Sequence, residues 1–169
     1  MYVTLAQLAE RPGASELAQV ASAELGAIVD AALLDALLRG NDTSAWSAAE
    51  VASGNDALAR INDAISDADG LIEGFLAKRG YTVPLATVPG VVTGWARALV
   101  RYALHKDRIT DPKTDPIGRD YQDALKMLQL TAGGQFSLGI GDTTAVAGAG
   151  NAQIARNPCP RPGPWDIPE

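Results

Sequence analysis

Few residues in this chain have the side chains that enzymes and metal sites most often use. His105 is the only histidine among 169 residues, and Cys159 is the only cysteine. A zinc site needs several Cys or His ligands, and a nucleophile needs a base beside it. We therefore expect no catalytic residues, no metal site and no cofactor. His105 is then a cation near the end of a helix.

Acidic side chains are more numerous and allow a second interpretation. Asp63 and Asp67 are four residues apart, as are Asp69 and Glu73. Each pair therefore shares one face of a predicted helix. Such pairs could bind a cation or act as an acid pair. A solvated acidic face is the commoner outcome of this spacing, and we favour it.

A small basic patch is predicted around Arg97 and Arg101, with Lys106 and Arg108 beyond them. The two arginines are four residues apart and share a helix face. We expect salt bridges with the acidic helix rather than contacts with phosphate. Both arginines are also candidates for a contact between subunits. A pocket that combined them with Asp63 and Asp67 would instead indicate a small helical enzyme or regulator with an Asp/Arg ligand site.

Trp46 is the only large apolar side chain in the polar segment 41–54. The favoured interpretation is that it folds back onto the core. An exposed Trp46 would be a good anchor for a neighbouring subunit, because Trp is enriched at the centres of interfaces. Trp46 is therefore the third candidate for a subunit contact.

The composition restricts the class of protein. The net charge is −6 at pH 7, which argues against broad nucleic-acid binding. A DNA-binding regulator would need a basic recognition helix, and none is evident. A single cysteine excludes an intrachain disulfide. No apolar run is long enough to span a bilayer, and no signal peptide precedes the first helix, so we expect a cytosolic product without a membrane partner.

The periodicity of apolar residues predicts a mainly α protein, a small helical bundle. Caps are expected at Thr4, Ser15, Asn55 and Asp115, with one further helical turn at the Ser47 capping-box sequence. The predicted helices follow Thr4 and Ser15 and then cover residues 27–39, 55–79, 89–106 and 116–131. The helix at 89–106 is expected to be the central one. A short strand is predicted at residues 135–138.

Two apolar stripes support the longest predicted helices. The stripe in 55–79 and the stripe in 89–106 repeat at three and four residues. They consist of Leu58, Ile61, Ile65, Ala68, Ile72 and Phe75 in the first, and Val92, Trp95, Ala96, Leu99, Tyr102 and Ala103 in the second.

The chain changes character after the last helix. Gly, Ala and Thr dominate to Gln153, and five prolines follow. Such a composition cannot bury enough apolar surface to fold alone, so we predict an extended, Pro-rich arm. The predicted organisation is a helical domain at 1–132, with an inserted helix and loop at 26–54, and an arm at 133–169.

Several segments together resemble a family of small virion proteins of Mu-like phages and prophages. Its members are grouped with phage head–tail connector, or head-completion, proteins. The chain departs from the family pattern between residues 26 and 54 and in the arm. The matching segments are residues 1–8, 64–79, Tyr81-Thr-Val-Pro-Leu85, Val88-Pro89, residues 98–105 with Arg108, 121–126 and 132–139.

The resemblance implies an interaction protein of the virion neck, made in the cytoplasm of a bacterial host. Such connectors form a ring, here expected to be dodecameric, beneath the portal, and DNA passes through as cargo. The implied partners are the portal protein, a tail-completion or tail-terminator protein and further copies of the chain. The arm would add to the portal's sheet. Its expected contacts are Gln153, Ile154, Arg156, Trp165 and Ile167.

Two alternatives stay open at this stage. Another neck or tail-completion component is the nearer one, although a tail terminator or tube protein predicts a sheet-rich fold that this sequence does not support. The small helical enzyme or regulator is the alternative from a different class.

Overall fold

The fold was analysed in a computed structural model, which describes residues 1–22, 28–109, 111 and 114–140. Helices dominate these residues, as the sequence predicts. In chain order they are α1 Leu5–Leu8, an irregular wide turn Ala9–Gly13, α2 Ala14–Ala21, α3 Ala31–Arg39, α4 Ala48–Arg79, α5 Gly90–His105, a short 3₁₀ turn Lys106–Arg108 and α6 Pro116–Ala132.

Helix α4 is the longest element, with 32 residues and a length of about 48 Å at 1.5 Å per residue. It begins where Ser47 and Glu50 form a capping box: the Ser47 hydroxyl accepts from the Glu50 N–H, and Glu50 accepts from the Ser47 N–H. It ends at Gly80, which has φ +97°. The prediction of a separate turn and a helix start at Asn55 was wrong, because the helix continues from the capping box.

Gly54 explains why the helix runs through the segment that we predicted to be a loop. It is buried, and α3 packs directly on it: a Cβ at this position would lie 2.6 Å from Leu37 Cδ1 and 3.3 Å from Leu33 Cδ2. The missing side chain admits these two leucines. Close packing with α3 thus offsets the low helix propensity of glycine.

The other helices are arranged around α4. One group, α2 and α3, packs on one part of it, and α5 and α6 pack on another part and on each other. The predicted stripe is confirmed, since Ile61, Ile65 and Ile72 are almost completely buried. Burying each such side chain contributes roughly 1.5–3 kcal/mol. The sequence favoured the 89–106 helix as the centre, but α4 is the helix on which both groups converge.

The N-terminal helices start at caps that the sequence only partly identified. Thr4 caps α1 with a capping box to Gln7, as predicted. Helix α2 follows Gly13 rather than the predicted Ser15, and α3 is capped by Asp30, whose carboxylate accepts from two backbone N–H groups. Ile28, predicted to lie on the buried face, is exposed because it precedes this cap.

Helices α5 and α6 follow the sequence patterns closely. Pro89 is the N-cap of α5, and Asp115 caps α6 with Pro116 in its first turn. On α5, Trp95 and Leu99 are buried, and on α6 Leu128 is fully buried. Tyr102 of α5 stacks on Tyr121 of α6 with ring centroids 3.9 Å apart. The two helices are therefore joined along their length.

Residues 133–140 pack back on the helices. The N–H groups of Gln135 and Phe136 both donate to the Leu130 carbonyl. These hydrogen bonds hold the segment against the C-terminal end of α6. Phe136 meets Trp95 edge-on, and the Leu138 N–H donates to the Tyr81 hydroxyl. The predicted strand at 135–138 was wrong: these residues form turns, their N–H groups have no strand to pair with, and no strand occurs in the described ranges.

We expect opposite effects from one change at two glycines of α4. Gly54→Leu should lower the free energy of unfolding by about 1–3 kcal/mol, because it overpacks the α3 contact. Gly74→Leu should raise it by up to about 1 kcal/mol, since Gly74 is exposed with open space around it. Urea unfolding followed by circular dichroism measures both. A stabilised Gly54→Leu variant would contradict the packing described.

Candidate functional site

A charged cleft lies between α5, α6 and the start of α2. Its volume is about 300 Å³. Its lining consists of Arg11, Pro12, Glu16, Arg97, Ala98, Arg101 and Asp120. Three guanidinium groups and two carboxylates thus meet in one small space.

The ion pair between Arg101 and Glu16 ties α5 to α2. Arg101 donates through Nε and Nη2 to the two carboxylate oxygens, with 2.8 Å between Nη2 and Oε2. This two-point geometry is the strong form of an Arg–carboxylate contact. The hydrogen bonds that Arg101 donates to Glu16 are the main cause that raises the pKa of Arg101 above its ordinary value. The pairing therefore favours the charged form of Arg101.

His105 completes this arrangement one helical turn after Arg101. Its Nδ1 lies 2.8 Å from the Arg101 carbonyl, and its Nε2 lies 3.4 Å from Glu16 Oε1. Because a carbonyl only accepts, Nδ1 must carry a proton. The histidine is half-buried at the end of α5, as predicted from the helix dipole. Nδ1 is therefore held by the Arg101 carbonyl, while Nε2 faces the Glu16 carboxylate.

Arg97 also lines the cleft, and it forms no hydrogen bond or ion pair with another described residue. It lies one turn before Arg101 and is half-buried. Its Nε is buried and has no hydrogen-bond acceptor among the described residues. Buried polar groups are nearly always hydrogen-bonded, so such a donor needs an explanation.

A second hollow continues from the cleft along α5 and α6. It shares Ala98 and Asp120 with the cleft and has a volume of about 280 Å³. Asp123 adds another carboxylate to it. The mainly cationic cleft beside Arg97 therefore adjoins a hollow that is acidic near Asp123.

The carboxylates that the sequence singled out lie elsewhere. Asp63 and Asp67 are exposed on α4, as the solvated-face interpretation predicts, and they do not line the cleft. The acidic partner of Arg101 belongs to α2, not to the acidic helix α4. The structure thus does not form the pocket of Asp63 with the two arginines that would have indicated an Asp/Arg enzyme.

Asp69 and Glu73 are occupied by the start of the chain. Asp69 accepts from the Tyr2 N–H at 3.0 Å and pairs with the Met1 amine at 3.2 Å. Glu73 accepts from the Tyr2 hydroxyl at 3.3 Å. These two carboxylates therefore hold the N-terminal segment against α4. No group of three or more potential metal ligands occurs in the part of the chain that the structure describes.

The other sequence candidates divide into two sets. Trp46 is half-buried and packs against the core, as the favoured interpretation predicts. The expected portal contacts and the cysteine lie outside the described residues. They are Gln153, Ile154, Arg156, Cys159, Trp165 and Ile167.

Sequence reasoning missed Glu16, Arg11 and Asp120. The sequence did contain one signal for an acidic partner. Arg101 and His105 are basic residues one helical turn apart, and a carboxylate between them would be favourable. Glu16 was one of many acids that could have met this need. Only the packing of α2 against α5 selects it.

The described residues define a small α-helical protein with a long helix and a charged cleft, and the sequence then places it in a family. The chain belongs to the bacteriophage Mu Gp36 family, whose model matches residues 2–156. This match confirms the resemblance to a protein of Mu-like phages. The protein is therefore phage-associated. None of the described helices is both long and apolar enough to cross a membrane.

One relative is similar over part of its length. It is the Mu-like prophage FluMu protein gp36 of Haemophilus influenzae, 37% identical over 84 residues. These residues make up 50% of this chain and 56% of the relative, so the chain spans little more than half of that protein. No solved structure matches the chain.

We expect Glu16→Gln to lower the free energy of unfolding by about 1–2 kcal/mol, because Arg101 loses its charged partner at a half-buried site. The matched control is Asp35→Asn, which removes the Arg39 pair at an exposed site of α3. Its effect should be under about 0.5 kcal/mol. Urea unfolding at pH 7 measures both. Equal losses for the two variants would contradict a special role for Glu16.

The stability of the protein should fall at alkaline pH because of Tyr2. Burial, followed by the nearby Glu73 carboxylate, raises the pKa of Tyr2 above its ordinary value of about 10. The folded state thus favours neutral Tyr2. This contribution is fully present below pH about 10 and is lost as the pH rises through the folded-state pKa.

Unfolding free energies of the wild type and Tyr2→Phe, measured from pH 8 upward, test this pH dependence. The wild type should be more stable at pH 8, since phenylalanine cannot donate to Glu73. The difference should shrink as the pH rises. A constant difference would show that Tyr2 does not titrate with folding.

Proposed function

We propose that this protein is a head–tail connector of a Mu-like phage, a structural subunit of the virion neck. The observation that carries the proposal is the family match over residues 2–156, combined with a helical domain followed by a Pro-rich segment. The chain would assemble into a dodecameric ring below the portal and extend the channel for DNA.

The charged groups of the cleft support a role in binding rather than catalysis. Glu16, Arg101 and His105 engage one another and join α2 to α5. Groups held in this way stabilise a scaffold that presents surfaces. The net charge of −6 suits a channel that lets DNA pass, because a strongly basic surface would retain it.

The portal and a tail-completion or tail-terminator protein are the proposed partners on either side of the ring. Residues 153–169 would dock on the portal as an added strand. In an extended strand Trp165 and Ile167 share one side and Asp166 faces the other. The two apolar side chains would then be the anchors.

Two alternatives remain as test outcomes. Another neck or tail-completion component would show no affinity for the portal but would bind a tail protein. A small regulator that binds an anionic ligand is the alternative from a different class, and the cleft beside Arg97 is the observation that favours it.

The first experiment is the mass of the purified protein, alone and mixed with its candidate portal, by light scattering after size exclusion. We expect a portal complex that gains a ring of chains of 17.6 kDa each. Deletion of residues 153–169 should abolish the gain, and Trp165→Ala with Ile167→Ala should weaken it. Asp166→Ala is the matched control. A wild type indifferent to the portal would refute the connector role.

A further inference from the structure

We infer that the cleft beside Arg97 receives a carboxylate from α4 of a second copy of this chain. The inference rests on the proposed function, since it specifies the contact by which copies of the connector would associate. It names the surfaces on both sides, which the family match does not.

The first step is the unsatisfied donor. Arg97 Nε is buried without an acceptor in the described part of the chain. A charged guanidinium with an unpaired donor is a costly arrangement inside a fold. Because this nitrogen itself has no accessible surface, a group that enters the cleft would instead meet the rest of the Arg97 guanidinium, which lines the cleft. A carboxylate matches the planar guanidinium best, because both of its oxygens can accept.

The second step is the charge of the cleft. Three arginines and two carboxylates give it a net charge of +1, in a protein whose net charge is −6. A volume of about 300 Å³ admits the end of one acidic side chain. The Asp120 carboxylate in the cleft and the Asp123 carboxylate in the adjoining hollow would repel a row of phosphates. The cleft thus suits a single carboxylate better than a nucleic acid.

The third step is the source of that carboxylate. Asp56, Asp63 and Asp67 are exposed on α4 at spacings of seven and four residues, so they share one face. None of these three carboxylates forms a hydrogen bond or an ion pair with another described residue. A second copy therefore offers a row of available carboxylates that complements the mainly cationic cleft.

The geometry of this contact has a consequence for assembly. The cleft lies between α2, α5 and α6, whereas the carboxylates lie on a solvent-exposed face of α4. Two different patches of the same chain would meet, which makes the contact heterologous. A heterologous contact repeats from copy to copy and closes into a ring when the rotation permits.

A charge-swap experiment tests the inference. Sedimentation velocity over a range of protein concentrations gives the dissociation constant for self-association of the full chain. Arg97→Glu should raise it roughly tenfold or more, as should Asp63→Arg with Asp67→Arg. Combining the three changes should return the dissociation constant to near the wild-type value. Every copy then carries an acidic cleft and a basic α4 face, which attract each other again.

Arg119→Glu is the matched control, an identical charge change at an exposed position of α6 outside the cleft. It should leave the dissociation constant unchanged. Circular dichroism and thermal unfolding check that each variant is folded. Arg97→Gln replaces Arg97→Glu should the glutamate disturb the half-buried site, and it should weaken association in the same direction.

Three outcomes would overturn the inference. They are a wild type that stays monomeric up to about 1 mM, a loss in Arg97→Glu no larger than in Arg119→Glu, and a combined variant that does not recover. Inorganic phosphate that raises the melting temperature of a monomeric wild type, but not of Arg97→Gln, would make the cleft a site for free anions instead.

The portal mixing experiment separates this inference from the proposed function. A wild type that binds the portal but whose self-association does not depend on Arg97 refutes only the contact proposed here. A wild type that self-associates through Arg97 yet ignores the portal refutes the connector role and leaves the contact between copies in place.

Discussion

The apolar stripe of α4 is the constraint on which the rest of the fold depends. A helix of 32 residues buries isoleucines along much of its length, and one neighbour could not cover them all. Two groups of helices therefore converge on it, with α2 and α3 on one part and α5 and α6 on another. The cleft is a product of this arrangement. It forms where α2 of one group comes against α5 of the other.

Charge serves two purposes in this protein. Inside the fold, Glu16 contacts both Arg101 and His105. The carboxylates of Asp69 and Glu73 bind the N-terminal segment. These contacts join elements that are far apart in sequence. On the outside, α4 presents carboxylates that the fold itself does not use, and the cleft keeps one arginine donor unmatched. In the proposed assembly, the groups that the fold leaves unpaired would meet those of a neighbouring copy.

Membership of the bacteriophage Mu Gp36 family gives these features a biological setting. In the proposed neck role the protein would work through its surfaces, and the domain offers two of opposite charge. The Pro-rich segment after the helices would supply a third contact, directed at a different partner. Ring formation and portal docking would then use separate parts of one short chain.

The sequence alone determined the helical class, the apolar stripes and the caps at Thr4, Ser47 and Asp115, because these depend on residues within one turn of each other. It also identified Arg101 as a salt-bridging residue. It could not determine that Gly54 continues α4, since that depends on leucines of α3, nor that residues 135–138 lack a strand partner. Only the tertiary structure selected Glu16 as the partner of Arg101 and left Arg97 without one. Both outcomes depend on contacts between distant segments, which periodicity and local propensity do not encode.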